Sequence, residues 1–253
     1  MNDPGSELAR FTHFAHPARA PLEIVRQQLL IFRSDPLRAE LLDAMPGPAM
    51  VLNQNRQIVA ANELLLTSLG LAAAEARLGP RPGEGVNCVH SHETPGGCGT
   101  AEACTECGAV QAIMESLATR SRSTKECQIQ TSTGPDGGAL DLRVHATYLK
   151  IEGEAFVVLG LEDIASEKRR GILERVFLHD MINLCGGLQG LAAVLEEGSD
   201  PETEDACKHG IAQISTMLLD EISTHREMLA AERGELTPEV GAVEIGSLFG
   251  RLA

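Results

Sequence analysis

Tryptophan is absent, tyrosine occurs once and phenylalanine six times in 253 residues. Stacked rings cannot build a core from so few aromatics, so aliphatic side chains must fill it, which suits Leu-rich helix packing. Positive charge is scarce as well. The 21 Lys and Arg stand against 36 Asp and Glu, a formal net charge of −15. A basic footprint for nucleic acid is thereby excluded, and an anionic membrane surface is a poor partner. The acidic surface serves solubility or selects a basic partner face. No apolar run approaches the ~18–20 residues of a spanning helix, and the opening MNDPGSELARFTHF has no secretory apolar core. A cytoplasmic protein is expected, with neither nucleic acid nor membrane as partner. The seven cysteines of such a chain are expected to be thiols or metal ligands rather than structural disulfides. The nucleotide pattern G-x4-G-K-[ST] is also missing.

What is present divides the chain. Residues 1–45 read as an N-terminal helical extension. The first twenty are expected to be poorly ordered, followed by helices from Pro21 and over 36–45, which Pro46-Gly47-Pro48 stops. Strand-like runs at 49–52 and 57–60 flank a turn and read as a hairpin. A helix over 62–69, closed by Gly70, follows, then a Cys-rich insert over 78–108 and a helix over 109–118. Three more strand-like runs lie at 125–131, 140–149 and 155–161. Gly134, Gly137 and Gly138 separate the first two, and Glu152-Gly153 the last two. The order predicts an α+β fold over 46–165: a five-stranded antiparallel sheet with flanking helices.

From residue 166 to 234 the pattern is a long helical hairpin. Leu173, Phe177, Met181, Leu184, Leu188, Leu191 and Leu195 form one narrow seam. Cys207, Ile211, Ile214, Leu218, Ile222, His225 and Leu229 form the other. Ser199, Glu202 and Pro201 suggest a capping box at the second helix. Two such helices have too little core to stand alone, so a homodimer closing a four-helix bundle through residues 166–232 is expected. At about 100° per residue, His179 points away from the seam, with Asn183 on its own face and Asp180 beside it. Gly186, Gly187 and Gly190 leave that side low, at a cost of roughly 1 kcal/mol each.

The run Glu174-Arg-Val-Phe-Leu-His179-Asp180-Met-Ile-Asn183 resembles the phospho-acceptor motif of sensor histidine kinases. The resemblance implies that His179 accepts a phosphoryl group, that Asp180 orients and deprotonates the imidazole, and that Asn183 positions water during dephosphorylation. It also implies a response-regulator receiver domain as partner. Upstream, the element order and the close at Asp163-Ile164 resemble a PAS sensor domain leading into a signalling helix. Residues 235–253 resemble the entry to an ATP-binding domain and then stop, without an Asn-rich box or Gly-rich lid. ATP is thus expected only through a domain missing here. The full-length protein would be a protein-histidine kinase, while this chain alone would be inactive.

Cys88, Cys98, Cys104 and Cys107 follow the spacing C-x9-C-x5-C-x2-C. Four thiolates suit an iron–sulfur cluster, which would sense oxygen or redox state, or tetrahedral zinc, which would staple the insert. Without metal they would be thiols open to oxidation. His90 and His92 are alternate ligands. The competing reading of the whole chain is a non-catalytic, redox-responsive PAS dimerisation module with a structural zinc site. Cys185 and Cys207 are expected to be small buried hydrophobes.

Overall fold

The computed structural model describes residues 12–68, 79–132 and 138–237. The expected helix closure at Gly70, the first residue of the Cys-rich insert, the Gly134 and Gly137 turn, and residues 238–253 lie outside these. The chain forms two compact units, divided between Glu167 and Lys168.

In the first unit, α1 (Leu22–Arg33) and α2 (Pro36–Asp43) precede the hairpin of β1 (Ala49–Asn53) and β2 (Ile58–Ala61). Next come α3 (Glu63–Ser68), the single turn α4 (Pro82–Gly85), two 3-10 turns (Val89–His92 and Glu102–Thr105) and α5 (Gly108–Thr119). The strands β3 (Arg122–Thr131), β4 (Gly138–Ile151) and β5 (Glu154–Asp163) complete it. The sheet order is β2-β1-β5-β4-β3, antiparallel throughout. This five-stranded antiparallel sheet with flanking helices is the PAS arrangement expected from the order of elements.

Successive strand residues point to opposite faces, and both faces are covered. Met50, Leu52, Val144, Val157 and Leu159 pack with Ala109, Ala112 and Ile113 of α5. Val51, Val59, Ala60 and Phe156 pack with Val25, Leu29 and Phe32 of α1. Covering both faces explains why β1 reads as an unbroken apolar run and is buried at every position. Phe32 and Phe156 meet edge to face, with centroids 5.1 Å apart, an arrangement that suits the ring quadrupoles. Residues 12–20 are not loose, contrary to expectation. His13 N–H donates to Thr100 and Ala15 N–H to Gly99, each at 2.9 Å, which seals this segment against the Cys-rich insert.

Helix α5 sits so close to β3 that a Cβ at Gly108 would overlap the Glu126 carbonyl oxygen. That oxygen is backbone and cannot swing aside. Gly108→Ala is therefore expected to cost about 2–3 kcal/mol as overpacking, measured as a shift in the urea midpoint. An unshifted midpoint would mean that α5 lifts off the sheet without loss.

The second unit is built on α6 (Ala165–Glu197), which begins in the first unit, and α7 (Pro201–Glu232). Every expected seam residue of α6 is half-buried and its neighbours on the other faces are mostly exposed. Phe177 stacks on His225 with centroids 4.0 Å apart. A Cβ at Gly187 would stand 3.2 Å from the Ile214 side chain, so this glycine admits the second helix. Three expectations are corrected. Asp200, not Ser199, caps α7, accepting from the Glu202 and Thr203 N–H groups at 3.1 Å. Ile222 is exposed because the seam advances from Leu218 through Glu221 to His225. Cys185 is exposed, whereas Cys207 is buried. Among the described residues no helix is long and apolar enough to cross a membrane.

Candidate functional site

The insert between α3 and α5 has little regular structure, so polar side chains and backbone turns hold it. Arg81 is its keystone. The side chain is wholly buried and donates to six carbonyl oxygens: Asn55, Gly96, Cys98, His16, Pro17 and Ala18, at 2.7–3.3 Å. It ties the N-terminal segment and the β1–β2 turn to the loop that carries Cys98. Burial, and then the nearby Arg56 and Arg19 charges, lower its pKa to about 9, so it remains charged at neutral pH. Glu84 accepts from the N–H groups of Arg81 at 2.9 Å and Cys98 at 3.1 Å, and pairs with Arg19. Burial alone would raise the pKa of this carboxyl, but those donors hold it below its ordinary value.

This scaffold brings all four cysteines of the insert to one cavity of 260 Å³, together with Arg56, His90, Val110, Ile113 and Ile129. Cys88 precedes the first 3-10 turn and is bridged to Thr131 of β3. Gly97 and Gly99 flank Cys98 at φ of +79° and +94°, the left-handed conformation that glycine adopts without strain. A Cβ at Gly83 would stand 2.8 Å from the Cys98 sulfur and 3.4 Å from the Cys88 Cβ, so one point on α4 touches both. Cys104 lies in the second 3-10 turn and Cys107 at the N-cap of α5.

The four thiols are electrostatically unequal. Burial pushes Cys98 up to about 12 and also raises Cys88 and Cys104. Cys107 goes the other way and is lowered: the Cys127 thiol donates to it and, against burial, the Val110 and Ala109 N–H groups add to the effect. It is the one chamber cysteine whose pKa is lowered, which favours its thiolate relative to the other three. Among the described residues no group of three or more His, Cys, Asp or Glu side chains is arranged to hold a metal ion. The four cysteines share a cavity, not a coordination point. Of the alternate ligands, His90 lines the cavity with Nδ1 2.6 Å from Glu93, while His92 does not line it.

Arg56, Arg81 and Glu84 escaped the sequence. Their roles depend on partners in other elements, and the only local signal was the Gly79-Pro-Arg81-Pro-Gly83 run. Arg56 sits in the β1–β2 turn at φ +64° and is 3% exposed. Its Nη2 donates to the His16 carbonyl at 2.9 Å, but its Nε has no partner. Burial lowers its pKa, opposed by the nearby Cys98 and Cys104.

In the second unit the His179 side chain is 72% exposed. Its Nδ1 lies 3.0 Å from an Asp180 carboxylate oxygen, and the Asn183 amide nitrogen lies 3.3 Å from Nδ1 and 3.4 Å from Nε2. The four-residue spacing places Asn183 on the same helix face as the ring, and Asp180 reaches it as the adjacent residue.

No protein-family model matches the chain, and no curated protein matches it. Several solved structures are similar to it over about half its length. A PAS domain from a two-component sensor histidine kinase is 11% identical, with 51% of this chain and 94% of that one covered at a TM-score of 0.34. The PAS domain of nitrogen regulation protein NR(II) from Vibrio parahaemolyticus is 13% identical, covering 51% and 98% at 0.38. The PAS domain of an HTR-like protein from Haloarcula marismortui is 18% identical, covering 55% and 98% at 0.35. By its own strand order and helix placement the first unit has the PAS fold, with a four-cysteine chamber built into it.

Proposed function

We propose that this chain is the sensory and phospho-acceptor portion of a two-component histidine kinase, with the cysteine chamber as its input and His179 as its output. The observation that carries the reading is the His179, Asp180 and Asn183 arrangement on an exposed helix face. A carboxylate that accepts from Nδ1–H fixes the tautomer in which Nε2 keeps its lone pair. That nitrogen then attacks the γ-phosphorus of ATP presented by an ATP-binding domain. The N–P bond forms, the P–O bond to ADP breaks, and Asp180 draws off the Nδ1 proton. An aspartate on a response-regulator receiver domain then takes the phosphoryl group.

A second copy of the chain completes the hairpin. Cys207 is the only buried residue in α6 and α7, while Ile172, Val176, Leu178, Ile182, Leu219 and Ile222 are exposed. Two helices with so little shared core need another pair, and a four-helix homodimer covers apolar residues that one hairpin leaves in water. The PAS domain is the sensory half, reading the redox or metal state of its chamber.

The test is a chimera in which the ATP-binding domain of a histidine kinase follows residue 237. Incubation with ATP is expected to place an acid-labile, base-stable phosphate on the chain. A chimera that binds ATP and dimerises yet carries no such phosphate would overturn the reading, in favour of a non-catalytic dimerisation module.

A further inference from the structure

A single zinc ion draws four thiolates to within about 2.3 Å of one centre, which leaves no cavity between them. Here Cys88, Cys98, Cys104 and Cys107 stand around a space of 260 Å³, and no described group of side chains is arranged for a lone ion. A space of that size admits a polyatomic guest among the four cysteines. Each sulfur also faces backbone donors. The N–H groups of His90 and Ser91 serve Cys88, Gly83 serves Cys98, Gly99 and Ala101 serve Cys104, and Ala109 and Val110 serve Cys107. Such hydrogen bonds are what cluster-bound sulfurs accept. The rest of the wall is largely apolar, including Val110, Ile113 and Ile129.

Arg56 supplies the independent observation. It lines this cavity, is 3% exposed, and its Nε is the one buried side-chain nitrogen or oxygen without a partner among the described residues. A buried cation short of hydrogen bonds is costly unless an anion meets it. The backbone at Arg56 is left-handed, which an arginine adopts less readily than a glycine.

We propose that the chamber binds an iron–sulfur cluster through Cys88, Cys98, Cys104 and Cys107, with Arg56 as the positioning residue that offsets the cluster's negative charge. Four thiolates around an oxidised two-iron or four-iron core make a dianion, and the guanidinium cancels part of it inside a low-dielectric wall. The inference rests on the chamber being the input site, but it is tested on the chain itself without any phosphoryl transfer. Failure of the cluster and failure of the His179 reading are thus separate results.

The experiment is anaerobic reconstitution of the full chain with ferrous iron and sulfide, followed by desalting, iron and acid-labile sulfide analysis, and a visible spectrum. The expected product is brown, with iron and sulfide in equal number and a reversible one-electron reduction. Cys107→Ser and Cys88→Ser are each expected to lose most of the iron. Arg56→Met is expected to make the reduction potential more negative and to shorten cluster lifetime in chelator about tenfold, while Arg56→Lys restores most of the potential. A colourless, iron-free chain would overturn the proposal, as would a chain that takes one zinc and refuses iron and sulfide. Cysteine variants that keep the full cluster would also overturn it. A potential unmoved in both Arg56 variants would remove Arg56 from it.

Discussion

Arg81→Met is expected to lower the stability of the first unit by about 3–5 kcal/mol, the cost of breaking a buried, fully hydrogen-bonded charge arrangement. Methionine fills a similar volume without a donor, so six carbonyls from three separate stretches of chain lose their shared partner. An unsatisfied buried polar group costs about 1–3 kcal/mol, and water entering the loop recovers part of that loss. Against a typical stability of about 5–15 kcal/mol, the variant stands close to unfolding. Arg81→Lys is expected to recover only part of the loss, because three donors on one nitrogen cannot reach the positions of a planar fork. Urea denaturation followed by circular dichroism measures it. A loss below about 1 kcal/mol, the value of an ordinary single hydrogen bond, would mean that the loop does not depend on this side chain.

His179→Gln is expected to abolish phosphate incorporation in the ATP-domain chimera while leaving dimerisation unchanged, because the ring is 72% exposed and supports no packing. The neighbours separate by role. Asp180→Asn keeps the shape but loses the proton acceptor, and is expected to slow incorporation about 10²-fold, at the low end of general-base effects. Asn183→Ala is expected to leave incorporation within a few-fold of the parent and to slow receiver dephosphorylation instead. Time courses of radiolabel on the chimera and on a receiver domain distinguish these outcomes. Full incorporation in the His179 variant would place the acceptor elsewhere, and equal effects of both neighbours on one step would argue against separate roles.

The parts legible in the sequence were those with a short period or a local break. Strands β1, β2 and β5 announced themselves as apolar runs and β3 and β4 as alternating ones, and the α6 seam followed from its spacing of three and four. Where two periods competed, the sequence misled. After Leu218, steps of four then three lead to Ile222, but the helix takes three then four through Glu221. Ser199 and Asp200 are both good caps, and only the backbone at Asp200, extended at φ −67° and ψ 159°, decides between them. The four cysteines could be grouped from their spacing, and they do reach one cavity. The cavity's depth and its guanidinium could not be read, because Arg56 lies 32 residues before the first of those cysteines in a turn that looks like any other. Arg81 was hidden for the same reason: carbonyl acceptors belong to every residue and leave no mark in a sequence.

Ala109 and Ile113 belong at once to the core packed on the sheet and to the lining of the chamber. The chamber therefore shares part of its wall with the core, and occupancy and folding are thermodynamically linked. A guest bound at a hundred times its dissociation constant would raise the unfolding free energy by about 2.7 kcal/mol. The same linkage makes any loosening of the core a loss of affinity. An exchange at Ala109 or Ile113 made for tighter binding would also change the packing of α5 on the sheet, so at these two positions site and fold change together.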